Sequence, residues 1–192
     1  MLPTTFKLDV TLQEDIEAFK KEVGDQPIDL LINVAGIMHP HGSDTLETVN
    51  IAAFERTFAI NTFGPLLLTQ ALLPSILKAQ HSRIAVVSFR VGSLADNSTG
   101  GMYSYRSSKA AVNMLFKNLA IDLETKNVPV LLLHTSLVKS NLDRRWKDGG
   151  NENVKGVVDP DVAATELYRV FMSKGMESSG NFWHRNGEEL PW

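Results

Sequence analysis

The sequence predicts a three-layer α/β sandwich built on a mainly parallel sheet. Three observations carry this. Short, nearly continuous apolar runs at 28–34, 84–88 and 128–133 read as strands buried on both faces. Longer stretches at 54–79 and 103–124 carry apolar residues at helical spacing. Strands and helices alternate along the chain, which calls for right-handed crossovers rather than hairpins.

The elements follow in order. Residues 6–10 form a short strand candidate. Thr11-Leu12-Gln13-Glu14 reads as a capping box that opens a helix, and Gly24 is placed to stop it. The buried strand 28–34 comes next, then the helical stretch 54–79 with Pro65 and Pro74 as expected kinks. A strand at 84–88 precedes the helix 103–124, and a third buried strand follows at 128–133. Residues 141–158 are polar and glycine-bearing, and read as a loop. Asp159-Pro160 begins a helix in cap-then-proline order, with Gly175 at its end. A last short strand at 181–184 runs into an Asn186-Gly187 turn. Neither repeats nor low-complexity tracts interrupt this pattern, so 1–192 reads as one domain.

Composition narrows the function. The chain has 192 residues, a net charge of -3 and no cysteine. Disulfides, thiol nucleophiles and cysteine-based zinc sites are therefore excluded. The Lys and Arg residues form no basic stripe, which argues against nucleic acid as a partner. No His, Asp and Glu spacing suggests a metal site. With no signal-like N-terminus and no apolar stretch expected to span a bilayer, the expectation is a cytoplasmic protein without a membrane partner.

Chemistry gathers at the carboxyl ends of the strands, where open parallel sheets bind ligands. Asn33-Val34-Ala35-Gly36 closes the first buried strand, Ser88 to Ser93 the second, and His134 to Lys139 the third. In Tyr105-Arg106-Ser107-Ser108-Lys109, a phenol and an ammonium stand four residues apart on a helix, hence on one face. An ammonium beside a phenol favours the phenolate and lowers its pKa, giving an acid/base useful near neutrality. The same spacing also arises by chance on helix surfaces. His39 follows the Ala35-Gly36 turn, as a substrate-facing base or as a solvated loop residue. Trp146, beside Arg144-Arg145 in the polar loop, is placed to close over an apolar ligand.

Taken in order, these segments resemble the short-chain dehydrogenase/reductase family. The matching pieces are NVAG at 33–36, AINTFGP around Asn61, VGSLADN at 91–97, GGMYSYRSSKAAVNM at 100–114 and NFWHRNGEELPW at 181–192. The last three resemble its carbonyl-reductase branch, which includes C-factor-like and sniffer-like proteins. The resemblance runs from about Leu8 to Trp192. It implies a Rossmann-like fold and hydride exchange between NAD(P)(H) and a carbonyl or alcohol. It also implies roles: Tyr105 as acid/base, Lys109 lowering its pKa and holding the nicotinamide ribose, and Asn61 anchoring a water in the proton relay. Asn33, Ala35 and Gly36 would line the adenosine side and Asp9 would face the adenine, if a nucleotide binds.

The chain departs from the family pattern in three places. It starts downstream of the first strand–glycine-rich turn–helix unit, and G-x-x-x-G-x-G occurs nowhere in it. Phe89 stands where the resemblance places the catalytic serine; Ser88 is expected to face away, and Ser93 to substitute. Thr135-Ser136 stands in place of a Pro-Gly turn. The reading that follows is a truncated and divergent relative that needs no cofactor. In it, Tyr105 and Lys109, assisted by Asn61 and by Ser93 or Ser136, would isomerise, cyclise or eliminate on a small apolar carbonyl metabolite. Met38, His39, Phe89, Ser136 and Trp146 would contact that substrate. Two alternatives stand beside it: an NAD(P)H-dependent carbonyl reductase whose N-terminal segment is absent from this chain, and a non-catalytic binding or regulatory relative. An apolar strand at 28–34 left on the sheet edge calls for the 6–10 strand beside it or, otherwise, a covering subunit; the expectation is a homo-oligomer, with that edge or the helices at 54 and 103 at the interface.

Overall fold

The structure, a computed structural model, describes residues 4–40, 42–143 and 156–192. Four parallel strands form the central sheet in the order β1-β2-β3-β6. They are β1 (Leu30–Asn33), β2 (Arg83–Ser88), β3 (Val130–His134) and β6 (Phe182–His184). A small parallel pair, β4 (Leu137–Val138) with β5 (Val157–Val158), lies beyond the end of β3. The helices are α1 (Gln13–Val23), α2 (Ile51–Phe58), α3 (Gly64–Ile76), α4 (Tyr103–Asp122) and α5 (Pro160–Ser173). The expected Rossmann-like class is therefore observed.

Side-chain alternation along the strands builds the layers. Ile84, Val86, Val130 and Leu132 point to one face, where they meet Leu72 and Ile76 of α3 and Val112 and Phe116 of α4. Ala85, Leu131 and Leu133 point to the other and pack on Val170 and Phe171 of α5. Burial on both faces is why β2 and β3 read as unbroken apolar runs. Strand β1 lies at the sheet edge, and its two faces differ. Leu31 and Asn33 turn toward the core, while Leu30, Ile32 and Val34 remain 38%, 40% and 65% exposed.

Several sequence expectations need correcting. Residues 4–9 are not a strand and do not extend the sheet beside β1. The Asp9 carboxylate accepts hydrogen bonds from the Thr11 backbone and hydroxyl, at 2.9 and 2.7 Å, and this turn conformation breaks any ladder. Val10 instead packs on Gly64, at the start of α3. Thr11 is spent on Asp9, so no capping box forms, and α1 begins after Leu12 without a side-chain cap. The long helix is interrupted by a π-turn at Ala59–Phe63, ahead of Pro65. Pro65 occupies the first turn of α3, where a missing N–H is harmless. The helical run Ile51–Ile76 does reach the length and hydropathy of a bilayer span, contrary to expectation. Half of its most apolar window is buried in this domain, as for a core helix. Residues 157–158 form β5, so the expected loop at 141–158 is not wholly irregular.

The Gly64–Val10 contact has a measurable consequence. A Cβ at Gly64 would lie 2.6 Å from Val10 Cγ2 and 3.0 Å from the Val10 carbonyl oxygen. Gly64→Ala is expected to destabilise the fold by about 1–3 kcal/mol through overpacking, despite alanine's better helix propensity. A lowered denaturation midpoint at unchanged m-value checks this.

Candidate functional site

The carboxyl ends of β1, β2 and β3 open into a cavity of about 670 Å³. Its walls are mainly apolar: Ile32 and Val34 from β1, Phe89 and Val91 after β2, Leu137 and Val138 of β4, and Leu167 and Phe171 of α5. Polar groups enter at few points, among them Tyr105, Lys109, Ser88, Thr135 and Ser136. Mostly apolar walls with a few converging polar groups are the usual composition of a small-molecule site.

Helix α4 supplies the first two. Tyr105 is 2% exposed and Lys109 4%. The Lys109 ammonium donates to the Val87 carbonyl at 2.9 Å and lies 5.8 Å from the centre of the Tyr105 ring. The helix approaches β2 closely because Gly92 has no side chain. A Cβ there would fall 2.7 Å from the Lys109 carbonyl carbon and 2.8 Å from the Ala110 nitrogen. Burial lowers the Lys109 pKa from 10.5 to about 8 and raises that of Tyr105. The expected phenol lowered by its lysine is therefore not what this geometry produces. Both groups are held in their uncharged direction by loss of water.

The start of α4 is fixed by residues far away in sequence. Asp44 is buried and accepts from the Ser104 and Tyr105 backbone N–H groups, at 2.9 and 3.1 Å, and from the Ser104 hydroxyl at 2.9 Å. Sequence reasoning missed Asp44, because nothing local links it to a helix sixty residues later. Asn61 sits in the π-turn and clasps the backbone of Ile37. Its Oδ1 accepts from Ile37 N at 2.8 Å, while its Nδ2 donates to Ile37 O at 2.9 Å and to Ser108 Oγ at 3.1 Å. Thr62 Oγ1 donates to Ser108 O at 3.0 Å. The π-turn thus ties the 36–38 loop to α4, in keeping with the frequent placement of such bulges at working sites.

The other expected residues divide. Met38, Phe89, Ser136 and Gly36 line the cavity with Tyr105 and Lys109. His39 is turned aside, its Nε2 within 3.1 Å of Thr57 Oγ1 and 3.4 Å of Ala53 O. Ser93 does not reach the cavity; it is buried and its Oγ accepts from Asp96 N at 3.1 Å. Asn33 points to helix α3, donating to Thr69 Oγ1 at 3.1 Å. Asp9 and Ala35 are exposed and lie outside the cavity wall. Trp146, with Arg144 and Arg145, lies outside the described residues. Ser88, expected to face away, instead lines the cavity, and its buried hydroxyl has no partner.

Residues 3–150 match the family model for short chain dehydrogenases. The chain belongs to this family. It is 37% identical over 187 residues to 1-hydroxy-2-glutathionyl-2-methyl-3-butene dehydrogenase of a Rhodococcus species, covering 96% of this chain and 78% of that one. It is 36% identical over 177 residues to C-signal of Myxococcus xanthus, covering 92% of this chain and 100% of that protein. Among solved structures, the NADPH-bound carbonyl reductase from chicken fatty liver superposes with a TM-score of 0.86 at 29% identity, over 96% of this chain and 75% of the other. The carbonyl reductase Sniffer of D. melanogaster gives 0.86 at 25% identity, over 97% and 77%. The expectation that no cofactor is used is overturned here. Three of these four relatives are a dehydrogenase and two carbonyl reductases, one of them solved with NADPH bound.

The buried ammonium has a thermodynamic signature. A pKa moved from 10.5 to about 8 corresponds to about 3 kcal/mol against folding with Lys109 charged. Below pH 8 both folded and unfolded chains carry the proton, and the cost is felt in full. Between 8 and 10.5 the folded amine is already neutral, and the cost shrinks with rising pH. Lys109→Met is expected to be more stable than the native chain by about 1–2 kcal/mol at pH 7, after allowing for the donor lost at Val87 O. That advantage should fade by about pH 10.5, read as the difference in urea midpoints across pH.

Proposed function

We propose that this chain is a nicotinamide-dependent oxidoreductase that interconverts an apolar ketone or aldehyde and its alcohol. The observation that carries the reading is the placement of Tyr105 and Lys109, both buried, in the wall of one apolar cavity. The family and the dehydrogenase and carbonyl reductase relatives support it.

The residues present fit the nicotinamide-ribose end of the cofactor. The Lys109 ammonium uses one of its three donors on Val87 O and keeps the others for ribose hydroxyls. Gly36 leaves open the space in front of it: a Cβ there would stand 3.7 Å from Lys109 Nζ and 3.5 Å from Asn61 Oδ1. At the diphosphate end the sequence offers no glycine-rich turn. When bound, the cofactor supplies or accepts the hydride.

The protein's share is the proton. With its pKa raised by burial, Tyr105 remains a neutral phenol and serves as donor to the carbonyl oxygen in the reductive direction. The phenolate that results is stabilised by Lys109 only while the lysine is charged. Phe89 and Leu133 give the cavity wall apolar surface.

Tyr105→Phe is expected to lower turnover of an aryl ketone by roughly 10²–10⁴-fold while leaving NADPH affinity unchanged. Intact turnover in this variant would remove Tyr105 from the mechanism. In the native chain, reductive turnover should decline as pH rises through about 8, where the Lys109 ammonium is lost. Titration of the whole chain with NADPH and NADH, followed by tryptophan fluorescence, tests the cofactor directly. Failure of both to bind at millimolar concentration would defeat the reading.

A further inference from the structure

Ser136 lies at the cavity wall between β3 and β4, with a left-handed backbone at φ 63°. Its hydroxyl is 2.7 Å from His184 Nε2 and 3.1 Å from Arg185 Nε. Arg185 is itself ion-paired with Glu166. The Asn186 backbone N–H donates to His184 Nδ1 at 3.2 Å, so Nδ1 carries no proton. A neutral imidazole then holds its proton on Nε2, and that N–H donates to Ser136 Oγ. Arg185 Nε can only donate. Both acceptor positions of the Ser136 oxygen are therefore filled, and its own proton has no acceptor among the described residues. The two donors, one of them cationic, also polarise the hydroxyl and strengthen it as a donor.

On this basis we propose that Ser136 is the hydroxyl that binds the substrate carbonyl oxygen. Phe89 occupies the position where the resemblance places a serine. Its ring packs 4.6 Å from the His134 ring and 6.2 Å from the Tyr105 ring, and so contributes apolar surface. The Glu166–Arg185–His184 assembly fixes Ser136 in its place, at the same cavity wall as Tyr105. A few donors on mainly apolar walls, Ser136 beside Tyr105 and Ser88, suit a ligand with one carbonyl acceptor on a hydrocarbon body. Carboxylates and sugars would leave further polar groups unpaired. The proposal rests on the functional reading above and names its substrate contact.

The test uses the whole chain and acetophenone labelled with carbon-13 at the carbonyl. Ser136→Gly removes the hydroxyl at a backbone angle that glycine prefers, so the fold is not put at risk. The expected result is a roughly 3- to 10-fold weaker acetophenone affinity and an upfield shift of the bound carbonyl resonance. NADPH affinity should be unchanged, and kcat/KM for the same ketone should fall by at least the factor seen in binding. An identical carbonyl resonance in both proteins overturns the proposal, as does the absence of saturable acetophenone binding to the native chain. A matching loss of NADPH affinity also overturns it, by assigning the hydroxyl to the cofactor's carboxamide. The carbonyl shift is read without turnover. A normal shift with no NADPH-dependent reduction would therefore count against the oxidoreductase reading and leave the Ser136 contact standing.

Discussion

The approach of helix α4 to the end of strand β2 is the contact on which the site depends. Gly92 permits it, since any side chain there would strike the backbone at Lys109 and Ala110. The approach brings the Lys109 ammonium within 2.9 Å of the Val87 carbonyl. It also buries Tyr105 against the cavity. Neither burial is favourable in itself: an ammonium and a phenol lose water, and each is pushed toward its neutral form. The sandwich offsets that with apolar burial elsewhere on α4, where Val112 and Phe116 are fully enclosed and contribute about 1.5–3 kcal/mol each. The helix is anchored by its apolar lower turns and holds its two polar groups against their own solvation.

Anchoring alone would leave the upper turns of α4 free to shift. Two distant elements hold them. Asp44 accepts the first backbone donors of the helix, which have no partners of their own within it. The π-turn at 59–63 presents Asn61 and Thr62, which grip Ser108 from the other side. Ser108 in turn donates to the Tyr105 carbonyl at 2.7 Å. The site is thus a junction of Ile37 and Asp44 with the stretches 59–63 and 103–109. A change at Asp44 or Asn61 would act on Tyr105 by moving its backbone, without touching a ligand.

How far the sequence reveals this follows from where each constraint lies. Helix α4 was legible because its apolar period is carried within 103–122, and β2 and β3 because burial on both faces leaves no polar residue inside them. Kinks in the 54–79 stretch were expected at Pro65 and Pro74. The π-turn falls earlier, at 59–63, where Asn61 and Thr62 bond partners distant in sequence that no local propensity encodes. Residues 6–10 look like a strand by composition, yet Asp9 bonds Thr11 and Val10 fills the gap at Gly64, and both outweigh β propensity. Lys109 and Tyr105 were found by spacing. Their pKa directions were not, because spacing gives the proximity of two groups and says nothing of the water each loses.

The sequence departures at Phe89 and Ser136 become one rearrangement in the structure. Considered alone, Phe89 removes a hydroxyl, and the sequence suggests lost chemistry. The ring it adds stacks edge-on against His134, whose neighbour His184 holds Ser136 from behind. His134 is too buried and too near other cations to carry charge, its pKa lowered to about 3, so it serves here as an uncharged packing partner for Phe89. With Ser136 as the proposed substrate contact, the turn after β3 supplies a hydroxyl that Phe89 does not. A serine in the left-handed region tolerates its backbone cost of about 1–3 kcal/mol because His184 and Arg185 hold its hydroxyl and the Thr135 hydroxyl donates to its backbone carbonyl. On that proposal, residues that look like losses when compared position by position are, in space, the exchange of one hydroxyl for another.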